Sequence, residues 1–174
     1  MTLYEDYNVV NDSKHPLANV ILNLIPKGRV LDVGCGSGAI LKTLQEKGLE
    51  CEGIDPSHVA VKLCKEKGLN VYTSTIKDFN PKEKYDYIIC LGTIYYLDDF
   101  EENFEKILTF LKPNGKLIIN FYNPLRLNKS KFIKVSYSKF KGAIKKHNLK
   151  NKVVFGNLIS LIKIYILTNS KQDK

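Results

Sequence analysis

The run Val30-Leu31-Asp32-Val33-Gly34-Cys35-Gly36-Ser37-Gly38 carries a carboxylate inside an apolar stretch and three alternate glycines directly behind it. Glycine serves where backbone must pass close to a ligand or take torsions denied to other residues. The start of a following helix adds free amide donors and the positive end of a dipole. A second acid, Asp55, stands 17 residues beyond Gly38 in Gly53-Ile54-Asp55-Pro56-Ser57. At the edge of a neighbouring strand such an acid can accept both hydroxyls of a ribose lying across the glycine turn, and Pro56-Ser57 starts the next helix cleanly. The alternative is that Asp55 only caps that helix. A glycine turn of this kind is by itself a weak sign, because any tight strand-to-helix turn also selects it; the second acid gives it chemical meaning.

The elements that must position these groups are read from apolar spacing. Leu17, Val20, Ile21, Leu24 and Ile25 recur at helical intervals, which predicts a helix over 15–25. Short apolar runs at 29–33, 49–54, 70–73, 85–90 and 116–121 read as strands, and 37–47, 57–67 and 99–111 as the helices between them. The segment 76–84 is too polar for more than a turn of helix, and Pro113-Asn114-Gly115 stops the helix before the fifth strand. Strands alternating with helices imply a parallel sheet covered on both faces by right-handed crossovers. The tail departs from this pattern, with a helix over 138–147 and two strands, 150–155 and 158–168, joined by a two-residue turn at Gly156-Asn157. The expected fold is α/β: a Rossmann-like, doubly wound, mostly parallel seven-stranded sheet ending in an antiparallel hairpin.

With 174 residues, 44% hydrophobic and 26% charged, the chain has the size of one domain able to bury roughly two thirds of its unfolded surface. It is read as a single domain over 1–174: an N-terminal helix or lid over 1–28, a cofactor-binding core over 29–121, and a basic part of the sheet over 122–174. Residues 1–120 carry 14 basic and 17 acidic side chains, whereas 121–174 carry 13 basic ones and a single acid, so the net charge of +9 belongs to the last third. Such a patch can draw in a phosphate-rich partner, although 25 of the 27 basic residues are Lys, which a composition bias also produces. The start of the chain carries early acid and no apolar core, and the greasy stretch 153–168 is interrupted and short for a span. Cys35, Cys51, Cys64 and Cys90 are scattered without metal-ligand spacing. A cytoplasmic protein with reduced thiols and no metal is expected.

On the motifs Val30 to Gly38 and Gly53 to Ser57, the chain resembles the class I S-adenosylmethionine-dependent methyltransferases, in the broad family with ubiquinone- and methionine-pathway-like members. The resemblance extends over about 15–125. Tyr85-Asp86-Tyr87-Ile88-Ile89-Cys90-Leu91-Gly92-Thr93-Ile94-Tyr95-Tyr96-Leu97 is similar to the family's fourth-strand motif, and Leu111-Lys112-Pro113-Asn114-Gly115-Lys116 to its turn into the fifth strand. A dinucleotide-dependent dehydrogenase fits less well, since its fingerprint is Gly-x-Gly-x-x-Gly.

The resemblance implies S-adenosylmethionine as cofactor and S-adenosylhomocysteine as product. It implies that Asp32 anchors the amino end of the methionine part, that Gly34, Cys35, Gly36 and Gly38 bring backbone to the cofactor, and that Asp55 and Pro56 hold the ribose. Thr75 stands where many relatives carry an adenine-binding acid, with Ile76 flanking the ring and Asp78 three residues on. Leu91 and Gly92, followed by Thr93, line the sulfonium end.

Two expectations concern the acceptor. Where many relatives carry Glu-His after the fourth strand this chain has Tyr95 and Tyr96, which become the catalytic candidates, with Tyr4 or Tyr7 as lid residues. Adjacent residues of an extended segment point to opposite sides, so only one of the pair is expected to reach the site; the alternative is that both pack under the helix near Asp99. Tyr122, Arg126 and Lys129, with Lys131 and Lys134, follow the fifth strand and are candidates for holding an anionic acceptor. The leading expectation is methyl transfer to a small-molecule or carrier-bound acceptor. The alternatives are an RNA methyltransferase, favoured by the basic last third, and a non-catalytic cofactor-binding regulator.

Overall fold

The computed structural model describes residues 15–122, 135–156 and 162–169. The strands form one mixed, mostly parallel sheet of Rossmann-like type in the order β3-β2-β1-β4-β5-β7-β6, with β1 Val30–Val33, β2 Cys51–Asp55, β3 Val71–Thr73, β4 Tyr85–Cys90, β5 Leu111–Tyr122, β6 Leu149–Phe155 and β7 Ile162–Asn169. The chain divides into two compact units, Met1–Tyr85 and Asp86–Lys174.

In the first unit, β1 pairs in parallel with β2, setting Asp32 beside Gly53, and β2 pairs in parallel with β3, setting Asp55 beside Thr73. Three helices accompany them: α1 Ala18–Leu24, α2 Ala39–Glu46 and α3 His58–Glu66. The α2 helix buries Ile40, Leu41 and Leu44, the residues whose spacing marked it in the sequence. The α3 helix is capped by Ser57, whose Oγ accepts from Ala60 N–H at 3.2 Å, a contact that supplies one of the donors a helix start leaves open. Below the sheet edge Arg29 joins Glu50 and Glu52 and lies over the Tyr85 ring, and the Tyr85 hydroxyl donates to Glu52.

The second unit is built on aromatic packing. The helix α4 Phe100–Thr109 buries Phe100, Phe104 and Ile107, and carries Glu101 and Glu102 in its first turn and Lys106 in its last, each sign at the helix end that favours it. The helix α5 Tyr137–Lys146 is capped by Ser136, which accepts from Lys139 N–H at 3.1 Å, and ends before Asn148 in the left-handed region. Phe121 of β5 stacks on Phe140 at 5.0 Å and meets Tyr95 and Tyr137 at 5.4 and 5.5 Å, while Tyr165 of β7 sits edge-on to Phe140.

Two expectations need correction. The β6 and β7 strands pair antiparallel, but the register sets Phe155 opposite Ile164 with an irregularity after Val153, where a two-residue turn would have set Phe155 opposite Leu158. Gly156 ends β6 with a positive φ, so the glycine is a local bend, not the whole connection. The fifth strand starts at Leu111, not at 116, and runs through Pro113. Its ladder with β7 extends only from Leu117 to Tyr122, so the missing amide of Pro113 interrupts no bond of that pairing. The structure also adds a single 3-10 turn, Thr93–Tyr96, after β4.

Candidate functional site

The carboxyl ends of β1 and β2 are tied by backbone before any side chain enters. Gly34 and Cys35 N–H both donate to the Ile54 carbonyl, at 2.8 and 3.1 Å. Asp55 then locks the turn: its Oδ2 accepts from Gly36 N–H and its Oδ1 from Ser57 N–H, each at 2.9 Å. Because Ser57 caps α3, Asp55 is not consumed as the cap. Each of its oxygens takes one amide and keeps a further lone pair, the requirement for accepting two neighbouring hydroxyls. Burial pushes the Asp55 carboxyl above its ordinary range, and the amides of Ser57 and Gly36 pull it back in part.

The glycines of the turn differ in purpose. A Cβ on Gly36, at φ +53°, would meet nothing within 4 Å, so this backbone borders open space where a ligand can come close. A Cβ on Gly38, at φ +77°, would stand 2.4 Å from Leu69 Cδ1 and 2.8 Å from Cys64 Sγ. Gly38 is a glycine for internal packing, where α2 starts against the flank of α3. Cys35 and Cys64 lie in that same buried cluster, with Leu41, Val61, Leu69 and Val71.

Asp32 is 3% exposed, and among the described residues its carboxylate receives no hydrogen bond. No sealed side-chain nitrogen or oxygen among the described residues lacks a partner, so the Asp32 oxygens reach accessible space. Burial, reinforced by the charge of Asp55, pushes its carboxyl up to about 7. An acid held this way is poised to take up a cation or a donor, which restores its ionised form. Beyond β3, Thr75 donates its hydroxyl to Asp78 at 2.6 Å and accepts from Asp78 N–H at 3.3 Å, with Ile76 buried between them. The two polar residues considered for the adenine position thus act as one hydrogen-bonded turn.

In the second unit, Gly92 follows Leu91 at the end of β4 in the left-handed region and donates its N–H to Asn120 Oδ1 at 2.7 Å. The two tyrosines lie in the 3-10 turn and not in an extended segment, so strand alternation does not apply to them, yet they differ in burial. Tyr95 is 3% exposed, packs on Phe121 and donates its hydroxyl to the Asn120 carbonyl at 3.3 Å; Tyr96 is 41% exposed. Tyr95 therefore serves the packing of the unit, and Tyr96 is the one of the pair that a ligand can meet. Tyr122 pairs through its backbone with Ile162. Tyr4, Tyr7, Arg126, Lys129, Lys131 and Lys134 lie outside the described residues. Asn120 is the residue that reading the sequence missed, although a lone amide in Leu117-Ile118-Ile119-Asn120-Phe121 was a signal in plain view. Among the described residues no helix is long and apolar enough to cross a membrane.

A family profile described as a methyltransferase domain matches residues 10–152. The chain is 29% identical over 108 residues to the ubiquinone biosynthesis O-methyltransferase of Bradyrhizobium diazoefficiens, which covers 59% of this chain and 43% of that protein. To the protein of the same name from Rickettsia canadensis it is 33% identical over 110 residues, 60% of this chain and 47% of the other. The chain thus spans less than half the length of these curated relatives. In fold it is similar to an amino pentose methyltransferase from Micromonospora echinaspora solved with SAM bound, at a TM-score of 0.73 and 16% identity over 88% of this chain and 89% of that one.

Proposed function

Because the chain belongs to the methyltransferase-domain family, we propose that it binds S-adenosylmethionine, releases S-adenosylhomocysteine, and transfers the methyl group to a small-molecule or carrier-bound acceptor in the cytoplasm. The observation that carries this reading is Asp32: a carboxyl 3% exposed, without a donor among the described residues, beside a glycine turn locked by a second acid. The α-ammonium of a methionine moiety supplies the missing partner, and the residues present therefore fit the cofactor. Asp32 takes the amino end, the backbone of Gly34, Cys35 and Gly36 borders it, and Asp55 with Pro56 takes the ribose hydroxyls. The Thr75 and Ile76 turn takes the adenine, and Leu91 with Gly92 the methyl-bearing end.

When bound, the cofactor supplies a methyl group on a sulfonium, already a strong electrophile. The work left to the chain is to bind, to orient and to keep water out; holding two reactants in line is worth roughly 7 to 11 kcal/mol in favourable cases. Tyr96 and the basic residues Arg126 and Lys129, with Tyr122, are assigned to the acceptor. The likeness to O-methyltransferases of ubiquinone biosynthesis supports a small-molecule acceptor over RNA.

Calorimetry with S-adenosylmethionine and S-adenosylhomocysteine tests the cofactor. Folded protein that takes up neither at millimolar concentration ends the proposal, and binding without turnover makes the chain a regulator instead. Labelled-methyl transfer into extract, sorted into RNA, protein, lipid and small molecules, tests the acceptor class; label in RNA alone overturns it.

A further inference from the structure

Within the first unit, Cys35 and Cys64 meet where the glycine turn lies against α3. Cys35 stands in the turn itself, its N–H held by the Ile54 carbonyl at 3.1 Å. Cys64 is fully buried on α3, and its Sγ donates to the Gly36 carbonyl at 3.2 Å. The two thiols are hydrogen-bonded to each other. Neither sulfur has room to turn away, because a Cβ on Gly53 would stand 2.9 Å from Cys35 Sγ and one on Gly38 2.8 Å from Cys64 Sγ. The pair is also unequal. The hydrogen bond from Cys35, with the charge of Lys67, holds the Cys64 thiol below its ordinary range against its burial, while the same bond and burial push Cys35 up. Lys67 is fixed there by its Nζ, which donates to the Ser37 carbonyl at 2.8 Å. A thiol poised to ionise beside one that keeps its proton is the division between a nucleophile and a resolving partner. Cys51 lacks this setting: its thiol donates to the Leu41 carbonyl at 3.6 Å, and burial pushes it up to about 11.

We propose that Cys35 and Cys64 are a redox pair, joined by a hydroperoxide into a disulfide that loosens the glycine turn's hold on its ligand. The Cys64 thiolate attacks one peroxide oxygen, the O–O bond breaks, and Cys64 sulfenic acid forms as hydroxide leaves. The Cys35 sulfur then attacks the Cys64 sulfur, the S–S bond forms and a second hydroxide leaves. The two thiol protons turn both hydroxides into water, so two electrons pass from the thiols to the peroxide. The burial of Cys64 favours so small an oxidant over a bulky disulfide. An S–S bond is shorter than the contact between two thiols, so its formation draws Cys35 towards α3. It also removes the proton that Cys64 gives to the Gly36 carbonyl, at the glycine whose Cβ side is open to a ligand. The loss of cofactor affinity rests on the methyltransferase reading above; the disulfide itself does not.

The test treats the full, reduced chain with hydrogen peroxide, blocks the remaining thiols and maps the peptides by mass spectrometry, with calorimetry against S-adenosylhomocysteine before and after. Mapping should show Cys35 linked to Cys64, and Cys51 and Cys90 blocked as free thiols. Affinity for S-adenosylhomocysteine should fall by about tenfold and return with dithiothreitol. In Cys64→Ala, peroxide should leave that affinity within about twofold of its starting value. The mapping needs only the wild type, so a variant that fails to fold does not spoil the test. A different pairing, four free thiols, a linked protein that binds as the reduced one does, or an equal loss of affinity in Cys64→Ala overturns the inference while leaving cofactor binding standing. Failure of the reduced wild type to bind S-adenosylhomocysteine overturns the methyltransferase reading and with it the loosened hold, and the peptide map alone then decides the disulfide.

Discussion

Two glycine turns, one in each unit, are held in the same way with different chemistry. After β1 the Gly36 amide is caught by a side-chain oxygen of Asp55, from β2; after β4 the Gly92 amide is caught by a side-chain oxygen of Asn120, from β5. In both, a left-handed glycine is locked by a buried or half-buried residue on the neighbouring strand in sheet order. The first lock is a carboxylate with a second, donor-poor acid at Asp32; the second is a neutral amide with an open donor edge. A charged lock suits the cationic amino group and the hydroxyls of a cofactor. The same backbone device thus takes its function from which atoms the locking side chain leaves over.

Breaking the charged lock should have the largest effect. Asp55→Ala removes the anchors of Gly36 and Ser57 together with two hydrogen bonds to hydroxyls, each worth about 1.5 to 3 kcal/mol. Calorimetry should therefore show cofactor affinity down by at least a hundredfold, on the order of 3 kcal/mol or more. Affinity close to wild type would mean that the carboxylate has no part in the ligand.

The glycines sharpen the same region. Gly38→Ala should lower stability by about 2 to 4 kcal/mol, since a left-handed alanine adds to overpacking against Leu69 and Cys64. Gly36→Ala, with open space at its Cβ, should cost about 1 to 2 kcal/mol of stability but lose cofactor binding. Denaturant titrations compared with calorimetry separate the two, and a Gly36→Ala protein that binds normally would remove that turn from the site.

Asp32 makes the contrast pH-dependent. Its carboxyl moves from an ordinary value of 3.8 up to about 7 on folding, so the folded chain prefers the proton. The contribution of this group to stability is greatest below about pH 4 and falls as pH rises towards about 7. Binding of a cation runs the other way, because it favours the carboxylate and releases the proton. Cofactor affinity should therefore rise by up to about tenfold per pH unit below about pH 7 and level off above it. In Asp32→Asn the affinity should be weaker and that rise lost. A flat profile in the wild type would refute the assignment of the amino end to Asp32.

The smallest effects test the neutral lock. Tyr95→Phe removes the hydroxyl bonded to the Asn120 carbonyl and should cost about 1 kcal/mol of stability. Tyr96→Phe should leave the melting temperature unchanged and act only on the acceptor. If Tyr95→Phe impaired turnover without loss of stability, the division of labour between the two tyrosines would have to be reversed.

Most of the framework was legible from local pattern. The helices α2 and α4 announced themselves by apolar residues at helical spacing, α3 by Pro56-Ser57 at its start, and the first four strands by short apolar runs, whereas the Ser136 cap of α5 lies two residues before the start read from the sequence. The glycine turn, Asp32 and Asp55 were legible because their spacing along the chain is the signal. These features depend on residues close in sequence, where periods of 3.6 and 2 leave a direct imprint. Local pattern thus set the order of elements and the residue types delivered to the strand ends.

Tertiary structure decided which atoms those residues have left to use. Whether Asp55 caps a helix or locks a turn depends on Ser57 taking the cap, and among the described residues no donor reaches the Asp32 carboxylate. Asn120 matters only because sheet order brings β5 beside β4, and Tyr95 is buried because Phe121 lies there to receive it. The register that sets Phe155 opposite Ile164 was likewise invisible to a turn signal read from two residues. Hydrogen bonds and burial between strands are set by register across the sheet, and residues far apart in the chain carry no spacing from which that register can be read.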